Sequence, residues 1–257
     1  MICVYVVNEE PAYIGMTALS IKMLRAYNPN LKVIVYFVKD SKKDSRKISL
    51  NLIVNCFASY DVPLNFDSFF SLCEKLNVEL RIRNSNLNQR YYSLHRLFFQ
   101  EIQEEKVLLI DSDTFIFENI EYFPEYYKDF DFVATPNEYG LRFAVPGFPE
   151  GFKSFNSGVV FCQNGIFQKW ICSIEKYCSD LYDGKHELSK WLWSLSSNCE
   201  GREELSASLF VNDNNVKYGY FAEKHVQMGS FSLKTAILHT LTPNYLNFLN
   251  KFFIRNK

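Results

Sequence analysis

Val107-Leu108-Leu109-Ile110 runs straight into Asp111-Ser112-Asp113, and this junction constrains the chain more than any other segment. Four consecutive apolar residues suit a short strand buried on both faces, the kind found inside parallel sheets. Such a strand ends at the carboxyl edge of the sheet, where open α/β folds bind ligands. Two Asp side chains at that edge offer hard oxygen ligands to a divalent cation, and a cation there suits a diphosphate. The same residues also read as a solvated β-turn after a core strand, because D-x-D is short enough to recur by chance. The chain contains such a contrast: Asp129-Phe130-Asp131 precedes the apolar run Phe132-Val133-Ala134 instead of following one. That second pair reads as a turn leading into a strand.

The spacing of apolar residues places further elements around this junction. Ile2–Val7 reads as a first strand, with Asn8, Glu9, Glu10 and Pro11 as a polar loop after it. Helical periodicity runs from Tyr13 to Tyr27, and Asn28-Pro29 stops it. Leu31–Val38 is a second strand, and Lys39 to Arg46 a charged surface loop. Residues 47–76 hold helical material broken near Pro63, Val78–Ile82 is a third strand, and Tyr91–Ile102 a helix. Beyond Asp113, Phe132–Ala134, Gly158–Phe161 and Ala236–Leu238 read as short strands, with Ile166–Cys178 and Glu203–Phe210 helical. A loop containing Gly140, Pro146, Gly147, Pro149 and Gly151 joins two of those strands. Strands alternating with helices in the first half predict a parallel α/β sheet.

Composition narrows the class. A chain of 257 residues with 47% hydrophobic residues can bury one substantial core, and no linker or repeat interrupts it. The formal net charge of −1 gives no reason to expect nucleic-acid binding, which usually shows a basic patch. The first residues lack a charged start and a cleavage site, and no apolar run approaches the roughly 20 residues that span a bilayer. Seven cysteines are scattered without a C-x-x-C pair, which disfavours zinc and a disulfide scaffold and suits a reducing, cytoplasmic setting. There is no G-x-G-x-x-G and no P-loop, so a dinucleotide or Walker-type site is disfavoured.

Several segments together resemble the GT-A glycosyltransferases, closest to the glycogenin and bacterial galactosyltransferase-like group called family 8. They are Ile2–Val38, Asp111-Ser112-Asp113, Phe155-Asn156-Ser157-Gly158-Val159-Val160-Phe161 and Ile237-Leu238-His239, in that order. Tyr91-Tyr92-Ser93-Leu94-His95-Arg96-Leu97-Phe98 is similar to the helix that precedes the metal-binding strand in those enzymes. The resemblance implies an α/β fold: a single GT-A (nucleotide-diphospho-sugar transferase) domain with an open, mixed, mainly parallel sheet flanked by helices.

It also implies roles. Asp111 and Asp113 would hold Mn2+ (or Mg2+) on the donor diphosphate, and His239 would complete the ligand set. Val7, Asn8 and Tyr13 would meet the uridine, and Ser112 the donor. Asn156, Ser157 and Gly158 match an N-S-G turn near the donor sugar. Arg96 would reach the sugar or phosphates, and Glu204, in Glu203-Glu204-Leu205, would line the acceptor side and assist its proton. The implied activity is transfer from a UDP-sugar to a hydroxyl of a glycan or other acceptor, with retention of configuration. One departure stands out: after His239 the chain reads Thr240-Leu241-Thr242-Pro243-Asn244-Tyr245, and the lysine those enzymes place there is missing until Lys251.

The expected organisation is a catalytic domain over residues 1–244, with a nucleotide-binding half (1–113) and an acceptor half (114–244). A basic, aromatic tail over 245–257 would either pack back on the domain or lie in a membrane interface, giving peripheral membrane contact. Two other functions remain open from sequence. A sugar-1-phosphate nucleotidyltransferase should carry a Gly-rich basic loop after the first strand, where this chain has Asn8-Glu9-Glu10-Pro11. A sugar-nucleotide-binding protein that has lost turnover fits the missing lysine but not the intact Asp111, Asp113 and His239.

Overall fold

The structure, a computed structural model, describes residues 1–39, 53–55, 57, 62–84, 96–136, 151–182, 184–185, 202–228, 235–240 and 245. The expected loop at 39–46, apart from Lys39, lies outside these residues. So do residues 137–150 of the Gly/Pro-rich loop and the 246–257 tail.

The first strand, β1 (Ile2–Asn8), is followed by α1 (Pro11–Tyr27) and β2 (Lys32–Lys39). Pro11 sits at the first helical turn, where its missing N–H costs nothing, so the helix begins earlier than apolar spacing alone suggests. At the other end the Asn28 N–H bonds to Leu24 O, and Pro29 follows. Residues 53–55 and 57 are helical, and after Pro63 comes α2 (Phe66–Lys75). Asn65 caps that helix by accepting a hydrogen bond from Ser68 N at 3.0 Å. Then come β3 (Glu79–Asn84), β4 (Val107–Ile110), β5 (Thr114–Ile116) and the short α3 (Phe123–Tyr126). β6 (Phe132–Pro136) and β7 (Phe155–Cys162) precede α4 (Ile166–Tyr182) and α5 (Arg202–Asp213). The chain continues through β8 (Tyr218–Tyr220), β9 (Val226–Met228) and β10 (Ile237–His239).

Seven strands form one sheet in the order β3-β2-β1-β4-β7-β6-β8. The pairs β1/β2, β2/β3 and β6/β8 are parallel, and β6/β7 is antiparallel. All four residues of β4 are buried, as its unbroken apolar run requires. The outermost β3 carries Glu79, Arg81 and Arg83, charges that guard an exposed sheet edge. A separate three-stranded sheet, in the order β5-β10-β9, went unforeseen in the sequence apart from β10.

The residues group into two compact units: 1–85, 109–123 and 222–257 in the first, 86–108 and 124–221 in the second. In the first, a core cluster joins Ala12 and Met16 of α1 to Phe57, Phe115 of β5, Leu238 of β10 and Tyr245. In the second, Phe132, Phe155 and Trp170 pack edge to face, with ring centroids 5.3 and 5.6 Å apart. Asn164 and Gly165, both at positive φ (57° and 72°), turn the chain from β7 into α4.

Asp129 and Asp131 fall in the turn before β6, as their context predicts. Asn156 and Ser157, expected in a turn before the strand Gly158–Phe161, lie with Gly158 inside β7, and all three are buried. The irregularity the motif signals is real and sits in the motif itself: Ala134 pairs with Val160 but Thr135 with Asn156, so the β6/β7 register skips Ser157, Gly158 and Val159 of β7.

Candidate functional site

Strand order fixes where a ligand can dock. β1 has β2 on one side and β4 on the other, so the order reverses between β1 and β4. A reversal of that kind opens a crevice at the carboxyl ends of the two strands. Asn8 ends β1 there, and Asp111-Ser112-Asp113 follows β4.

The small sheet adds the third component. β10 pairs antiparallel with β5, and His239 is the register partner of Thr114, the residue after Asp113. His239 Nε2 therefore lies 3.1 Å from Asp113 Oδ1 and 3.9 Å from Asp111 Oδ2. Thr240 locks the same junction, its N–H and its Oγ1 both donating to Asp113 O, at 3.1 and 2.9 Å. The side chains of His239 and Asp113 are 4% and 11% exposed and that of Asp111 33%, so the cluster opens to solvent on the Asp111 side.

The ligand atoms of Asp111, Asp113 and His239 all lie within 4.8 Å of one another. Donors sharing one divalent ion at about 2.0–2.2 Å stand up to about 4.4 Å apart, so the two measured separations suit a shared cation. Two carboxylates and an imidazole form a mixed oxygen and nitrogen set, which a borderline ion such as Mn2+ accepts more readily than Mg2+ does.

Around the cluster, Val7 and Asn8 are buried at the end of β1, and Asn8 Oδ1 accepts a hydrogen bond from Glu10 N at 3.0 Å. That contact fixes the loop leading into α1. Tyr13, on the first turns of α1, packs against the core cluster. Ser112 accepts a hydrogen bond from Thr17 Oγ1 of α1 at 2.8 Å. Thr17 and Thr240 escaped the sequence reading. Neither carries a signal of its own, since Thr240 lies on no helix and a lone hydroxyl on α1 shows nothing until its partner is placed.

The remaining expected residues belong to the second unit. Arg96, in a 3-10 turn over residues 96–101, is buried and donates from Nη1 to Ser157 O at 3.1 Å. Asn156 Oδ1 accepts from Gly158 N at 2.9 Å, which holds the carboxamide against its own strand. Arg96, Asn156, Ser157 and Gly158 thus come together around one stretch of β7. Glu204 lies in the first turn of α5.

No family model matches the chain, and no curated protein sequence matches it. Solved structures do. The galactosyltransferase LgtC, in complex with donor and acceptor sugar analogues, aligns over 98% of this chain and 96% of its own, at TM-score 0.52 and 15% identity. The fold is GT-A. The GlyE glycosyltransferase of Streptococcus pneumoniae TIGR4 aligns over 99% of this chain and 64% of its own, at TM-score 0.52 and 16% identity. WbbM, a bifunctional glycosyltransferase, aligns over 100% and 51%, at TM-score 0.51 and 11% identity, so the chain spans about half of that protein. The likeness bears out the GT-A resemblance read from Asp111-Ser112-Asp113 and its neighbours. In the GT-A fold the crevice between β1 and β4 and the cluster at its rim occupy the sheet's carboxyl edge.

Proposed function

We propose that this protein is a metal-dependent glycosyltransferase that moves a sugar from a UDP-sugar to a hydroxyl of a glycan or other acceptor, with retention of configuration. The observation that carries the reading is the convergence of Asp111, Asp113 and His239 at the carboxyl edge of a GT-A sheet. The names borne by the structural neighbours support it.

The roles follow from chemistry. Asp111, Asp113 and His239 would hold a divalent cation, Mn2+ or Mg2+, which as a Lewis acid offsets charge on the departing diphosphate. Val7, Asn8 and Tyr13 would receive the uridine, with the Asn8 amide donating to a uracil carbonyl. Ser112, Ser157 and Gly158 would line the donor. Arg96 and Asn156 would orient the sugar, holding it for attack rather than supplying protons. Glu204 would take the proton of the acceptor hydroxyl. Residues 1–244 would form the catalytic domain, and the 245–257 tail would give any membrane contact. Among the described residues no helix is long and apolar enough to cross a membrane. The proposed location, cytoplasmic or peripheral to a membrane, rests on the sequence expectation alone.

The absence of lysine between His239 and Lys251 favours one second reading, a sugar-nucleotide-binding protein without turnover. Calorimetric titration of UDP with and without Mn2+, on wild type and Asp113→Asn, tests the donor site. Micromolar binding that needs Mn2+ and vanishes in the variant supports it, and binding indifferent to both overturns the metal assignment. Release of free sugar from a UDP-sugar, again only with Mn2+, separates the enzyme from the binding protein.

A further inference from the structure

Behind the acidic turn runs a line of buried hydroxyls that the function above does not use. Tyr5 Oη of β1 is 3.0 Å from Ser20 Oγ of α1. Ser20 Oγ is 2.9 Å from Thr114 Oγ1 of β5, and Thr114 Oγ1 donates to Asp111 O at 2.8 Å. All three side chains are completely buried.

A carbonyl can only accept, and each hydroxyl has one proton. Thr114 spends its proton on Asp111 O, so Ser20 must donate to Thr114. Ser20 has then spent its own, so Tyr5 must donate to Ser20. The line has one direction: Tyr5 O–H to Ser20, Ser20 O–H to Thr114, Thr114 O–H to the Asp111 carbonyl. Burial raises the Tyr5 phenol well above its ordinary value, which keeps the first donor protonated.

A directed line of this kind is cooperative, because each bond polarises the next. It ends on the backbone of a carboxylate residue and not in bulk core. Ser20 is also one turn from Thr17, which grips Ser112, so one face of α1 holds two successive residues of the turn.

We propose that Tyr5, Ser20 and Thr114 are positioning residues for the cation cluster: their one-way hydroxyl relay sets the backbone of the Asp111-Ser112-Asp113 turn so that both carboxylates face His239. The inference rests on the cation reading above. Outer partners of metal ligands act in this way, fixing orientation without touching the ion.

The test is Mn2+ binding to the full chain at saturating UDP, read from the electron paramagnetic resonance signal of free Mn2+ alongside a thermal melt. Thr114→Val removes the donor to Asp111 O while keeping shape, and should weaken Mn2+ about tenfold in the folded protein. Thr114→Ser restores the hydroxyl and should bind within about twofold of wild type. Tyr5→Phe removes only the far end and should weaken Mn2+ by a smaller factor, about twofold to threefold; it carries the test if Thr114→Val does not fold. Wild-type Mn2+ affinity retained by the folded variants, with only a lowered melting temperature, overturns the relay alone and leaves the cation site standing. No Mn2+ binding by wild type overturns the cation reading, and the relay's role with it.

Discussion

His239 Nε2 lies 3.1 Å from Asp113 Oδ1, brought there by the pairing of β10 with β5. The imidazole supplies the one nitrogen of the cluster, on a strand whose register is fixed at Thr114. His239→Ala should therefore weaken Mn2+ at least about tenfold and lower turnover in proportion, since a ligand matters more than the outer partners whose loss already costs that much. Adding Mn2+ in excess should recover part of the rate. Unchanged Mn2+ dependence in the variant would remove His239 from the ligand set.

Arg25 near the end of α1 ties several chain ends together. Its Nε donates to Leu76 O at 2.8 Å and Nη2 to Asn77 O at 2.9 Å, while Nη1 donates to Pro29 O at 3.3 Å and to Leu31 O. One planar fork thus satisfies carbonyls at the ends of both α1 and α2. Arg25→Ala should cost about 2–3 kcal/mol in urea unfolding, because the stranded carbonyls include partly buried ones. Arg25→Lys should recover little of it, as an ammonium cannot span the same fork. Equal midpoints for wild type and Arg25→Ala would refute the tie.

What was legible in the sequence were the elements with a continuous apolar run or a clear period. β1, β2 and β4 announce themselves as buried strands, and α1 by its spacing and by Asn28-Pro29 at its end, while Pro11, read as part of the loop, in fact opens the helix. The pair Asp111 and Asp113 could be singled out because it follows such a strand, and Asp129 and Asp131 set aside because they precede one. The small sheet was hidden for a physical reason. Thr114–Ile116 is too short to show alternation, and its partner lies far along the chain. His239 could therefore be named only by resemblance, and the pairing that delivers it had no local signature. Tyr5, Ser20 and Thr114 were illegible for another reason: an isolated hydroxyl on an apolar face looks like tolerance until its partners are known.

Gly15 sits inside α1, where alanine would ordinarily stabilise a helix by about 0.5–1 kcal/mol. Here a Cβ would lie 2.7 Å from Phe57 Cε2 and 3.2 Å from Leu64 Cδ2. Overpacking of that sort costs about 1–3 kcal/mol, so the clash outweighs the propensity and Gly15→Ala should destabilise. Phe57→Leu in the same chain should relieve it, giving a double variant more stable than the sum of the two single losses. Additive losses would show that Phe57 is not what excludes the methyl.

His225 is buried beside two rings, with centroids 5.3 Å from Tyr122 and 5.5 Å from Phe123. Burial, and then the neighbouring Lys224 ammonium, hold its imidazole below the ordinary value of 6.5. The unfolded chain takes up the proton near that ordinary value, and the folded protein only at lower pH. Between the two values the unfolded state binds more protons, so stability falls as pH falls through this window. Above it both states are neutral and the contribution vanishes; below it the loss is complete. His225→Phe keeps an aromatic ring without a titrating group, so its stability should fall less than that of wild type between about pH 7.5 and pH 5. Urea midpoints measured across that range check it, and parallel curves for the two proteins would clear His225 of any part in the acid sensitivity.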